Sequence, residues 1–122
     1  MIQGTVSSRR QAVVPLRVRG PTGLESDIDA VVDTGFNSAL TLPDALIASL
    51  KLVQKSKGQG TLADGSVHQF VSYEAELLWV DNGGASWCPA REPLLLGMRL
   101  VMGRKLLIEG RVGGTVQISM LP

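Results

Sequence analysis

The sequence predicts an all-β fold, a small closed barrel or folded sheet with one or two short helices. Three observations lead there. Extended runs with alternating apolar and polar residues recur from Ile2 to Leu121. Turn signals rich in Gly, Asn, Asp and Pro separate them at short intervals. Few segments carry a helical pattern. The 122 residues suit one domain, 1–122, and a chain of that length buries a real core with a modest margin.

The elements follow in order. Ile2 to Ser7 is a first strand. Ala12 to Arg19 is a second, with Val14, Leu16 and Val18 alternating against Val13, Arg17 and Arg19. Gly20-Pro21-Thr22-Gly23 is a turn. Leu24 to Val32 returns with Ile28, Ala30 and Val32 on one face and Asp27 and Asp29 on the other. Pro43 to Leu50 is the best helix: proline suits the first helical position and Asp44 the positive end of the dipole. Leu46, Ile47 and Leu50 form its apolar face. Asp64-Gly65, between two extended runs, marks a hairpin. Val67 to Val80 is a long half-buried strand, with Val67, Val71, Tyr73, Ala75, Leu77 and Trp79 on one face. Asn82-Gly83-Gly84 turns it back into Ala85 to Ala90. Pro93 to Gly97 holds a short buried strand, and Met98 to Met102 a short helix. Lys105 to Glu109 and Thr115 to Leu121 close the fold across Gly110 to Gly114.

Composition removes several function classes. Apolar residues make up 44% and charged residues 19%, as in a folded globular protein. Net charge is +1 with no charge block, which argues against nucleic acid or a membrane surface as partner. Cys88 is the single cysteine, so no intramolecular disulfide forms and nothing points to an oxidising compartment. "MIQGTVSSRRQAVV" lacks a basic start followed by an apolar core, and no apolar run reaches a membrane span. A soluble, cytoplasmic protein is expected.

One stretch does not read as plain strand and turn. In "VVDTGFNSALTLP", Val31 to Pro43, an apolar strand runs straight into Asp33, turns on Thr34-Gly35 and resumes with apolar residues. Such a carboxylate is expected to be partly buried, which is costly unless it is paired or neutralised. It either closes a turn or has a chemical task.

Asp33-Thr34-Gly35 after an apolar strand resembles the active-site turn of the aspartic proteases. The flap hairpin of that family is matched by the hairpin at Asp64-Gly65. Its later pair of hydrophobic residues followed by glycine is matched by Leu95-Leu96-Gly97. "LTLP", "LADGS" and "LLLGMRL" look most like the bacterial retropepsin-like proteases. The likeness spans Leu24 to Pro122. A lone Asp-Thr-Gly recurs by chance; three pieces in order at suitable spacing are far more specific.

The resemblance implies a peptide-bond hydrolase, an aspartic endopeptidase. Two carboxylates activate one water: one is ionised and takes its proton, the other is protonated and hydrogen-bonds the substrate carbonyl. The pair titrates as a unit. This chain has one Asp-Thr-Gly and is too short for two lobes. Asp27, Asp29, Asp44, Asp64 and Asp81 form no second copy. The implied enzyme is therefore a homodimer, one lobe per chain, with Asp33 of each subunit on the axis. Thr34 would brace the pair and Gly35 would let the substrate backbone approach. Asn37 and Ser38 fall where relatives contact that backbone. Leu62 to Val67, including Ala63, Asp64 and Gly65, would form a flap closing over the peptide. Leu95 and Leu96 would pack beneath the loop, Gly97 easing the approach. The C-terminal strand, Thr115 to Leu121, would pair with its twin. Three positions depart from the pattern: Phe36 is bulkier than the usual Ala or Ser, Arg99 replaces an expected Asp, and the flap tip lacks an aromatic residue.

Other readings are plainer. Asp33 could simply cap its own turn, leaving a non-catalytic dimerisation or peptide-binding module. His68 near Ser66 lacks an oxyanion motif and reads as a surface histidine. Cys88, beside Pro89, reads as a buried or half-buried thiol; one Cys and one His fall short of a zinc site. Gly58-Gln59-Gly60 lacks the βαβ context of a dinucleotide loop. Arg9-Arg10 and Arg17-Val18-Arg19 read as solvated hairpin faces, and Trp79 and Trp87 as core or interface. No cofactor and no metal are expected.

Overall fold

A computed structural model describes residues 2–61, 63–78, 83–89 and 94–122. Nine strands and two short helices are found among them: β1 (Ile2–Val6), β2 (Ala12–Arg19), β3 (Glu25–Val32), α1 (Asp44–Ser49), β4 (Val53–Thr61), β5 (Val67–Leu78), β6 (Gly83–Pro89), β7 (Leu95–Leu96), α2 (Met98–Val101), β8 (Arg104–Ile108) and β9 (Thr115–Met120). The all-β expectation is borne out. Expectations for Leu62, Trp79, Val80, Asn82, Ala90 and Pro93, and for the side chains of His68, Trp87 and Cys88, lie outside the described residues.

β2 is the hub of the sheet. β3 pairs along one edge, from Val13↔Val31 to Arg19↔Glu25. The other edge is shared by β1, at Ala12 and Val13, and β5, at Arg17 to Arg19. β9 lies between β1 and β8. Alternation explains β2 and β3: Val14, Leu16, Val18, Ile28 and Ala30 are buried, while Arg17, Asp27 and Asp29 face solvent. The outer face carries ion pairs, Arg17 to Asp27 at 2.7 Å and Arg19 to Glu25 at 2.6 Å.

Four expectations need correction. First, the barrel does not close. Among the described residues the strand path is open, running β4-β5-β2-β1-β9-β8 with no pairing between its ends. Second, the C-terminal strand is not an outer edge along its whole length: Gln117 and Ile118 of β9 pair with β1 on one side and β8 on the other, while Ser119 and Met120 pair with β8 alone among the described residues. Third, β5 is not half-buried throughout. Ala75 and Leu77 are buried but Val67 is 63% exposed, because β5 joins β2 only through Glu76–Leu78 and its other end runs out with β4 as an arm. Fourth, Pro43 stands just before α1 rather than inside it. Its carbonyl accepts the N–H groups of Leu46 and Ile47, at 3.0 and 3.1 Å. The helix ends in a Schellman closure, Lys51 N–H to Ala48 O and Leu52 N–H to Ile47 O, which puts Lys51 at φ +53°.

Candidate functional site

The Asp33 turn hangs on β7. This two-residue strand lies parallel to β3, with Val31 opposite Leu95 and Val32 opposite Leu96. Val31 N–H donates to Leu94 O at 2.8 Å and Asp33 N–H to Leu96 O at 2.9 Å. The chain turns through Thr34 and Gly35 and comes back along the other edge of β7. Leu40 bridges Leu96 antiparallel. Gly97 N–H donates to Ala39 O at 2.8 Å, and Thr41 N–H to Leu95 O at 2.9 Å. Thr41 Oγ1 accepts the Leu95 N–H at 2.7 Å. β7 is thus clamped on both edges by the two arms of one loop. Ala39, Leu40, Leu42 and Leu96 are fully buried there, which explains the apolar run on either side of the motif.

α2 completes the seat. The first N–H groups of a helix have no partner within it, and no side chain caps α2. The loop supplies them: Phe36 O accepts Met98 N–H at 2.7 Å and Ser38 O accepts Arg99 N–H at 3.3 Å. Gly97 is required at this junction. A Cβ there would run into the carbonyl oxygen of Ser38 and come 2.6 Å from Phe36 Cδ2. The Phe36 ring therefore lies on Gly97, in space that only a glycine leaves open.

Asp33 itself is half-buried. Its Oδ1 accepts the Gly35 N–H at 3.0 Å, and the Asp33 carbonyl accepts the Phe36 N–H at 3.1 Å. Oδ2 has no hydrogen-bond partner among the described residues. Thr34, Gly35 and Asn37 are exposed; Ser38 is half-buried.

The hairpin at Asp64-Gly65 is present, between paired Thr61 and Val67. Asp64 Oδ1 accepts both the N–H and the hydroxyl of Ser66, at 2.9 and 2.6 Å. Those bonds, the hydroxyl first, hold the Asp64 carboxyl below its ordinary range. Gly65 takes φ +86°, as the turn demands. Ala63, Asp64 and Gly65 are exposed and form no hydrogen bond with the Asp33 turn among the described residues. The structure therefore joins Asp33, Thr34, Gly35 and Ser38 to Leu95–Arg99 in one hydrogen-bonded unit, which does not include the hairpin tip among the described residues.

Arg99 is exposed and holds no ion pair among the described residues; its main chain, not its side chain, ties the loop. Thr41 was missed by sequence reasoning. Its only signal was a lone hydroxyl within an apolar run. No three of His, Cys, Asp and Glu gather as a metal site among the described residues, and no helix there is long and apolar enough to cross a membrane. Comparisons with protein-family models, curated proteins and solved structures find no match.

Proposed function

We propose that the chain is an aspartic endopeptidase of retropepsin type, with its active site assembled from the Asp33-Thr34-Gly35 turns of two copies. The observation that carries this reading is the state of Asp33. Its Oδ1 is fixed by Gly35 N–H, its main chain is anchored to Leu96, and Oδ2 has no hydrogen-bond partner among the described residues. A carboxylate held this way can share a proton with a twin and polarise a water between them. In this mechanism the ionised member takes the proton of the water as it attacks the peptide carbonyl. The protonated member donates to the carbonyl oxygen. The hairpin tip, Leu62 to Val67, serves as the flap, and the substrate pairs with it as an added strand.

Exposed apolar residues support a second copy. Met102, Leu107, Met120 and Leu121, all from the β8–β9 region, are 41–68% exposed. Uncovered apolar surface concentrated in one region marks an interaction face.

A second reading has its own observation. The bond from Gly35 N–H to Asp33 is what any turn-capping aspartate makes, and would serve a non-catalytic dimerisation or peptide-binding module equally well. Cleavage of a mixed peptide library from acid to neutral pH separates the two, with Asp33→Asn and a pepstatin-type inhibitor as controls. Cleavage that disappears in Asp33→Asn supports the protease. No cleavage by a protein that is dimeric in solution favours the module.

A further inference from the structure

A cavity of about 460 Å³ opens beside the strand that delivers Asp33. Val31 and Val32 form one wall. Asp33 follows directly, its Cα about 3.8 Å from that of Val32. The other walls come from the β1–β2 turn and the β8–β9 connection, which bring Arg10 and Arg111 to the cavity. These walls are tied to each other: Val6 N–H donates to Gly114 O and Gly113 N–H to Val6 O, each at 2.9 Å.

The lining is apolar except at those two arginines and the neutral amide of Gln11, and it contains no carboxylate. Both guanidinium groups are weakly committed. Arg10 is exposed and has no ion pair among the described residues. Arg111 stands 3.8 Å from Glu109, outside hydrogen-bond range. Glu109 in turn accepts the Thr115 N–H at 3.0 Å. Arg10 also sits at φ +64°. A three-residue hairpin loop ordinarily gives that left-handed position to glycine, so a side chain there carries a conformational cost. The chain places a cation where the backbone prefers no side chain at all.

We propose that this cavity is a side-chain subsite of the active centre, and that Arg10 and Arg111 select an acidic residue of the peptide beside the scissile bond. The inference rests on the aspartic-protease reading. The valines take the methylenes of the acidic side chain, and the guanidinium groups take its carboxylate. Both cations are exposed, so the selectivity is that of a solvated ion pair: about fivefold for glutamate over glutamine. It is lost below about pH 4, where glutamate is protonated.

The test uses two peptide pools that differ only in carrying Glu or Gln at randomised positions. Cleavage is followed with the wild-type chain. Binding of the same pools, fluorescein-labelled, is followed by anisotropy with Asp33→Asn. Arg10→Gly is the informative variant, because it removes the cation and relieves the left-handed strain; Arg111→Gln is its companion. The expected result is an Asp33-dependent preference for Glu near the cut. It falls toward unity in either variant and below pH 4, and survives in Arg10→Lys. Asp33-dependent cleavage with equal use of Glu and Gln overturns the subsite and leaves the protease standing. A Glu preference in binding that Arg10→Gly removes, without any cleavage, keeps the carboxylate site and overturns the protease. Neither cleavage nor a Glu preference overturns both.

Discussion

The hydroxyl of Thr41 accepts the N–H of Leu95 at 2.7 Å, while the N–H of Thr41 donates to the carbonyl of Leu95 at 2.9 Å. Two residues 54 positions apart in sequence thus satisfy each other's main chain beneath the Asp33 turn. Thr41 is fully buried. A buried amide left without a partner costs about 1–3 kcal/mol. Thr41→Val, close in shape but lacking the acceptor, should lose roughly that amount of stability in urea denaturation, and Thr41→Ser should recover most of it. Equal stability of the valine variant would show that the bond contributes nothing.

Gly97 should tolerate no side chain. In Gly97→Ala the new Cβ meets the Ser38 carbonyl as well as the Phe36 ring. Overpacking of this kind costs about 1–3 kcal/mol. Because two of the obstacles, the carbonyl oxygens of Ser38 and Phe36, are main chain, Phe36→Ala should not rescue Gly97→Ala. A double-mutant cycle reads this directly, and full rescue would place the whole conflict on the ring.

Lys51 closes α1 at φ +53°. Lys51→Gly should stabilise the chain by about 1 kcal/mol, seen as a higher thermal midpoint. A lower midpoint would mean that the lysine side chain contributes more than its backbone strain costs.

Asp33→Asn keeps an oxygen for the Gly35 N–H, so the fold should persist with an unchanged circular dichroism spectrum. Peptide cleavage should fall by roughly 10²–10⁴-fold or more, the usual loss on removing an acid–base group. The proposed mechanism needs one carboxyl to carry a proton, so wild-type activity should decline toward alkaline pH. A flat profile into alkaline pH would contradict the paired-carboxylate mechanism.

Stability should fall in acid. Arg17 holds the Asp27 carboxyl below its ordinary range, chiefly by hydrogen bonding. Ser66 does the same for Asp64, and Thr115 for Glu109. A carboxyl depressed in the folded state stabilises above its unfolded pKa, and loses that contribution as pH falls through the folded one. The urea midpoint should therefore drop below about pH 4. The slope should flatten in the Asp27→Asn, Asp64→Asn and Glu109→Gln variants together. All three groups are exposed, so added salt should weaken the Asp27–Arg17 part most.

Much of this architecture was legible in the sequence. Period-two alternation placed β2 to the residue and β3 to within one, since a strand with one buried face has no other stable phase. Pro43-Asp44 located α1, and the glycine-rich turns located most strand ends. Asp33 stood out because a carboxylate between apolar runs needs a reason. Tertiary structure alone decided the rest. That β7 would insert between β3 and residues 39–41, that Thr41 would serve Leu95, and that Arg10 and Arg111 would meet at one cavity all depend on contacts distant in sequence. The open strand path and the doubly paired β9 depend on which edges meet, and alternation sets the faces of a strand, not the neighbours of its edges.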